Sequence, residues 1–274
     1  MLRDHTLAVL GAGNIGSALV GGLLRGGDLP ADQIRATRRG EAAREALRQR
    51  FPGVHVSDDN RGAVSGASIV IISVKPQNVA ALMEEIRPHV APGTLVLSTL
   101  AGVPTGALSR ALGQELPVVR AMPNTPALVD EGATALAAGE WADESHVATA
   151  QAVFEAVGIV EVVTENLMDA VTGLSGSGPA YVFMLIEGLT DAGVKQGLPR
   201  PTSSRLAVQT VLGAARLAQE TGEHPAILRD QVTTPGGTTI AAVAELEKHG
   251  LRTMMIDAVQ IATERSRQLS DLDG

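Results

Sequence analysis

Short runs of aliphatic and β-branched residues alternate with segments of helical spacing through residues 1–165. The runs at 6–10, 33–37, 69–74, 95–98 and 118–121 read as strands, and the segments at 14–24, 41–49, 78–87 and 105–112 as helices. Strand and helix in repeated alternation mean crossover units, hence a mostly parallel sheet covered on both faces. Ile69-Val70-Ile71-Ile72 is apolar without alternation, as a strand buried on both sides should be. Segments 133–137 and 159–163 add late strands around a helix at 143–157.

Beyond residue 165 the strand pattern stops, and helices are expected at 167–172, 180–195, 203–220, 240–249 and 252–269. Pro179 suits a first helical turn with Ser177 near the cap, and Gly197 and Gly250 stand where helices stop. The expected fold class is therefore α/β: an N-terminal Rossmann-like, doubly wound sheet domain over 1–165 and an all-α domain over 166–274. The 203–220 helix carries Leu206, Val208, Val211, Leu212, Ala214, Ala215, Leu217 and Ala218, apolar around most of its circumference. Such a helix needs covering on all sides, so a homo-oligomer is expected.

Composition narrows the function. With 274 residues and no cysteine, the chain has interior enough to fold without disulfides, and thiolate metal sites and Cys nucleophiles are excluded. Residues 1–9 lack the basic head and apolar run of a signal peptide, and long uncharged stretches such as 170–186 are broken by Gly, Ser and Pro. A cytoplasmic protein without membrane spans is expected. A formal net charge of −8, with three Phe, one Tyr and one Trp, argues against nucleic acid as a partner. The six histidines have no metal spacing, and no metal is expected.

Gly11-Ala12-Gly13-Asn14-Ile15-Gly16 follows the first strand and opens the first helix, the context that turns a GxGxxG match into a dinucleotide loop. Gly11 permits the tight turn, Gly13 lets pyrophosphate approach the backbone, and Gly16 lets the helix lie against the sheet. The second strand ends Ala36-Thr37-Arg38-Arg39-Gly40, with no acid before Glu41 to hold ribose hydroxyls. Thr37, Arg38 and Arg39 suit a 2′-phosphate, and a charge-assisted pair there is worth about 1.5–3 kcal/mol. NADPH is the expected cofactor, with NADH admitted. The competing reading puts both arginines on a solvated helix start.

Thr233-Thr234-Pro235-Gly236-Gly237-Thr238-Thr239-Ile240 sets hydroxyls and side-chain-free backbone directly ahead of a helical pattern. Unpaired N–H groups at a helix start attract a small anion, and Gly236 and Gly237 let a carboxylate approach. Thr234, Thr238 and Thr239 offer hydroxyls to a neighbouring polar atom. Alternatively Thr238 or Thr239 caps the helix and Pro235-Gly236 only makes the turn.

Taken together, Gly11 to Gly16, Val74-Lys75-Pro76, Ala101-Gly102-Val103, Arg120 to Pro126 (RAMPNTP), Asp169 to Tyr181 (DAVTGLSGSGPAY) and Thr233 to Ile240 closely resemble the pyrroline-5-carboxylate reductase family, nearly end to end. The two C-terminal motifs are the more specific. The resemblance implies NAD(P)H-dependent reduction of Δ1-pyrroline-5-carboxylate to L-proline by a Rossmann domain and a helical dimerisation domain. It implies that Gly11, Ala12, Gly13, Asn14 and Ile15 hold the pyrophosphate, that Thr37, Arg38, Arg39 and Asn60 hold the adenosine end, and that Val74, Lys75, Pro76, Leu100 and Ala101 run along the nicotinamide half. Gly237, Thr238 and Thr239 match the substrate turn, with Thr234 where many members have Ser, and Glu165 matches a further acidic position. Leu100 stands where a smaller residue is common, and Gln231 where some relatives have Asn. Family dimers interleave their helical domains, so the substrate turn of one chain is expected to face the cofactor of the other, and dimers often assemble into decamers.

A protonated cyclic iminium is already a strong hydride acceptor, so positioning is most of the task. The substrate carboxylate is expected at Gly237 to Thr239, with the Thr239 hydroxyl on the ring nitrogen. Lys75, before a proline, is expected to offer backbone rather than its amine. His224, beside Pro225, is expected in a loop as a surface or packing residue, and Met254-Met255 as core or interface packing. A hydroxyacid or open-chain imine dehydrogenase of the same plan would use a lysine of the helical domain, Lys195 or Lys248 here. A third reading, an NADPH sensor or scaffold without turnover, leaves the intact substrate turn unexplained.

Overall fold

The computed structural model describes residues 2–272. Among these, eight strands form one sheet: β1 (Leu7–Leu10), β2 (Ile34–Thr37), β3 (His55–Ser57), β4 (Ile69–Ile72), β5 (Leu95–Ser98), β6 (Val118–Met122), β7 (Gly132–Ala138) and β8 (Gly158–Val162). Their order is β3-β2-β1-β4-β5-β6-β7-β8. Only β6 and β7 pair antiparallel; the other neighbours are parallel. The doubly wound α/β class expected from the sequence is the class observed, with helices covering the sheet.

The helices of this part are α1 (Asn14–Gly26), α2 (Glu41–Arg50), α3 (Asn60–Val64), α4 (Val79–Ile86), α5 (Thr105–Leu112), α6 (Glu144–Glu155) and α7 (Met168–Val171). In β4, Ile69 and Ile71 join one core cluster and Val70 and Ile72 the other, all at 0–1 % exposure. That is why the run does not alternate: both faces are interior, and each side chain is worth roughly 1.5–3 kcal/mol of burial. The strand order reverses on either side of β1 and β4, which opens a crevice at their carboxyl ends. The glycine loop after β1 lies there.

The remaining helices are α8 (Gly178–Lys195), α9 (Arg200–Thr221), α10 (Pro225–Gln231), α11 (Thr238–Lys248) and α12 (Leu251–Leu272). The chain divides into two compact units, Met1–Ser177 with Gln260–Gly274, and Gly178–Val259. Within the second unit, α8 packs on α9 where the Ser203 hydroxyl donates to the Thr190 carbonyl at 2.7 Å. A Cβ on Gly193 would stand 2.1 Å from Ser203 Oγ, so the close approach requires glycine. Phe183 and Met184 are 63 % and 71 % exposed, and Leu206, Val208, Leu212 and Leu217 about half exposed, so one chain alone does not cover these helices. Met254 and Met255 are likewise exposed rather than core.

Four elements depart from the expectation. The short strand β3 and helix α3 fill a stretch without clear periodicity, and β3 is a three-residue edge strand with no buried position. Helix α10 is an addition: His224, exposed and outside the helix as expected, is its N-cap, its Nδ1 accepting the Ala226 N–H at 3.2 Å, with Pro225 in the first turn. The segment expected to end at 172 continues through a π-helical stretch, Thr172–Gly176.

Candidate active site

The glycine loop is held to the end of β2. The Thr37 carbonyl accepts N–H groups from Gly11 (3.2 Å) and Ala12 (2.8 Å), and Arg38 Nη1 donates to the Ala12 carbonyl at 2.7 Å. Gly11 has φ +81°, and a Cβ there would lie 2.7 Å from Val74 Cγ1 and 2.9 Å from the Ser73 carbonyl oxygen, so no other residue fits without rearrangement. An added Cβ on Gly16 would meet Val9 Cγ1 at 3.0 Å, which is how closely α1 lies on β1. The N-cap of α1 is Gly13, with no side-chain cap and no acid in the first turn. The N–H groups of Asn14, Ile15 and Gly16 thus open the helix without an intrahelical acceptor, the arrangement that receives a phosphate.

Beside the loop lies a cleft of about 700 Å³ lined by Gly11, Gly13, Thr37, Arg38, Arg39, Asn60, Val74 and Lys75 among others. Eight residues selected from the sequence therefore meet on one wall system. Arg39 is exposed and reaches Asn78 Oδ1 at 3.3 Å. Thr37 is 2 % exposed, and its hydroxyl donates to Asn60 Oδ1 at 2.7 Å. Behind Arg38, Arg44 donates to the Arg38 carbonyl (3.3 Å) and pairs with Asp58 at 2.8 Å and with Glu41. Hydrogen bonds from Arg48 and then Arg44 hold the Glu41 carboxyl below its ordinary range. The first acid after β2 is thereby tied to arginines, and the cationic groups facing the cleft are Arg38, Arg39 and Lys75. A narrow glycine turn, an uncapped helix start and two arginines fit a phosphorylated dinucleotide.

Lys75 is exposed; its carbonyl accepts the Asn78 N–H at 2.9 Å as Pro76 starts a single turn, Pro76–Asn78. Leu100 and Ala101 follow β5 outside the lining of that cleft, Leu100 fully buried and Ala101 half-buried. Glu165 lines a different cleft, of about 540 Å³, and both its oxygens are bonded to Thr105. Its Oε1 also lies 3.9 Å from Nη1 of the buried Arg120. Burial pulls the Arg120 guanidinium below its ordinary pKa, and the charges of Glu165 and then Asp169 oppose that shift. Arg120 Nε and Nη2 have no hydrogen-bond partner among the described residues.

In the second unit, the Thr234 carbonyl accepts the Gly237 N–H at 3.0 Å across Pro235 and Gly236. Gly236 has φ +70°, as position i+2 of a type II turn requires. Gly237 is the N-cap of α11, and no side chain caps the helix, so neither Thr238 nor Thr239 plays that part. A Cβ on Gly237 would stand 2.3 Å from Thr234 Oγ1. The turn thus presents the N–H groups of Thr238, Thr239 and Ile240 with three threonine hydroxyls nearby in sequence.

Residues 165–269 match the family described as pyrroline-5-carboxylate reductase dimerisation, and residues 6–102 that described as NADP oxidoreductase, coenzyme F420-dependent. A pyrroline-5-carboxylate reductase of Synechocystis sp. is 44 % identical over 266 residues, 96 % of this chain and 97 % of the relative. The chain belongs to the pyrroline-5-carboxylate reductase family. The Escherichia coli pyrroline-5-carboxylate reductase is 39 % identical over 97 % of this chain and 99 % of its own. Among solved structures, the pyrroline-5-carboxylate reductase of Coxiella burnetii superposes with a TM-score of 0.92 at 37 % identity, over 98 % of this chain and 99 % of that one. The Plasmodium falciparum pyrroline carboxylate reductase with NADP bound gives 0.87 at 28 % identity over the same shares.

For this member of the reductase family, sequence reading passed over Ser73, Gln77, Asn78 and Glu85, all on the wall of the larger cleft. Ser73, Gln77 and Asn78 flank Val74-Lys75-Pro76 and were reachable from that motif. Glu85 was not: on α4 it is one charged residue among the polar positions of an amphipathic helix. No described helix is long and apolar enough to cross a membrane.

Proposed function

We propose the following division of labour for the NADPH-dependent reduction of Δ1-pyrroline-5-carboxylate to L-proline in this chain. Gly11, Ala12, Gly13, Asn14 and Ile15 receive the pyrophosphate; Thr37, Arg38, Arg39 and Asn60 take the adenosine end; Val74, Lys75, Pro76, Leu100 and Ala101 run along the nicotinamide half. When bound, the reduced nicotinamide supplies the hydride. The N–H groups at the start of α11 hold the substrate carboxylate, with Thr234, Gly237 and Thr238 shaping that cradle, and the Thr239 hydroxyl bonds to the ring nitrogen. The iminium enters with its proton already on nitrogen, so when its ring carbon is reduced no side chain must deliver one. Glu165 uses two of its roughly four lone-pair positions on Thr105 and keeps the rest for the substrate side.

The observation that carries this reading is the uncapped start of α11 behind a Pro-Gly-Gly turn, in a chain of this family. NADH serves as the second nucleotide. The protein works in the cytoplasm as a homodimer, the exposed apolar helix faces of the second unit meeting across the dimer, and dimers assemble further into decamers. The substrate turn of one subunit completes the cofactor site of its partner. NADPH absorbance is expected to fall on addition of pyrroline-5-carboxylate and to hold steady with oxoacids, the hydride acceptors of hydroxyacid dehydrogenases, and with open-chain imines. Consumption with only the latter would overturn the substrate assignment.

A further inference from the structure

The cleft wall contains a chain of three hydrogen bonds. Glu85 Oε2 accepts from Asn60 Nδ2 at 3.0 Å, Asn60 Oδ1 accepts from the Thr37 hydroxyl at 2.7 Å, and Thr37 Oγ1 accepts from the Gly11 N–H at 3.3 Å. Its direction follows from the group at its far end. A carboxylate only accepts, so Asn60 must turn its amide nitrogen to Glu85 and its oxygen to Thr37. Thr37 then gives its single hydroxyl proton to Asn60 and keeps a lone pair toward Gly11. Reversing Asn60 would set its NH₂ against the hydroxyl, leaving the Thr37 proton without this acceptor and the amide oxygen against the Glu85 carboxylate. Thr37 is 2 % exposed, so water does not replace a lost partner there.

We propose that Glu85 is a positioning residue for nucleotide binding, fixing through Asn60 the direction of the Thr37 hydroxyl that meets the Gly11 N–H. The inference rests on the cofactor reading above. The other charged groups on this wall stand outside this chain of bonds: Arg38 bonds to the Ala12 carbonyl, Arg39 to Asn78 and Asp58 to Arg44, and Lys75 is exposed. Glu85 is half-buried on α4, outside every nucleotide motif of the sequence, and acts on the loop only through this chain.

Dissociation constants for NADPH and NADH, measured on the full protein without substrate, test it. Glu85→Ala is expected to weaken both nucleotides by a similar factor, roughly three- to tenfold, the equivalent of one net hydrogen bond. In an Asn60→Ala background the same change is expected to do nothing further. Glu85→Gln, which can still accept from Asn60, restores most of the affinity. Glu85→Lys presents donors only, and NADH binding is expected to weaken although the new charge is favourable to phosphate; this variant keeps the test open if Glu85→Ala melts early. Equal effects of Glu85→Ala in both backgrounds, unchanged NADH binding in Glu85→Lys, or tighter binding of NADPH alone in Glu85→Ala would overturn the proposal, the last marking simple charge repulsion. Because binding is read without substrate, failure to reduce the cyclic imine would strike the substrate reading and leave this test intact.

Discussion

Glu165 grips Thr105 with both carboxylate oxygens, Oε1 accepting its N–H at 2.7 Å and Oε2 its hydroxyl at 2.8 Å. Thr105 is the first residue of α5, whose N-cap, Pro104, has no side-chain group to offer. A carboxylate from 60 positions along the chain thus does the work of a cap, favoured by the helix dipole. Thr105→Val keeps the N–H bond and loses the other, and is expected to lower the unfolding free energy by about 1.5–3 kcal/mol, the range for hydrogen bonds to charged groups. Chemical denaturation of both single variants and the double variant checks this: once Glu165→Ala is present, Thr105→Val should cost little more.

The two arginines after β2 should separate in their effects. Arg39→Ala removes a group whose one hydrogen bond among the described residues is to Asn78, and is expected to raise the Michaelis constant for NADPH roughly tenfold to hundredfold with little change for NADH. Arg38→Ala also cuts the tie to the Ala12 carbonyl, so it should weaken both nucleotides, NADPH more. Steady-state kinetics with each nucleotide decide; equal losses for both nucleotides in both variants would remove the 2′-phosphate from the reading.

At the substrate turn, Thr239→Ala should lower turnover by about tenfold or more while the NADPH dissociation constant stays put. Gly237→Ala places a methyl group 2.3 Å from Thr234 Oγ1, so the turn must open and the Michaelis constant for the cyclic imine should rise. Unchanged turnover in Thr239→Ala would take that hydroxyl out of the mechanism.

Asp143, the N-cap of α6, has its carboxyl held down to about 2 by the Ser145 hydroxyl first and the His146 N–H next. Its folded-state value is below the unfolded one of about 3.9, so its contribution is fully present above that value and is lost as pH falls through about 2. Melting temperatures of the native protein and Asp143→Ala should differ most at neutral pH and converge toward pH 2. A constant gap across that range would mean the charge plays no part.

The alternating pattern of the first 165 residues determined the parallel sheet, because strand and helix signals are local and repeat within a few residues. The glycine loop, the arginines after β2 and the Pro-Gly-Gly turn were legible for the same reason: each is a contiguous run whose backbone chemistry is fixed by its own residues. What escaped was non-local or weakly periodic. β3 is three residues on a sheet edge, recognisable only by its pairing with β2. α10 hid behind His224-Pro225, which looks like a loop until the imidazole is seen accepting the Ala226 N–H. The antiparallel turn of β7 against β6 depends on which neighbours a strand finds. So do the grip of Glu165 on Thr105 and the line from Glu85 to Gly11, joining residues 60 and more than 70 positions apart that no sequence period relates. Sequence set the elements and the anion-binding backbone, since these follow from dihedral preference and side-chain spacing; tertiary structure decided which polar groups face one another, since that depends on the packing of distant segments.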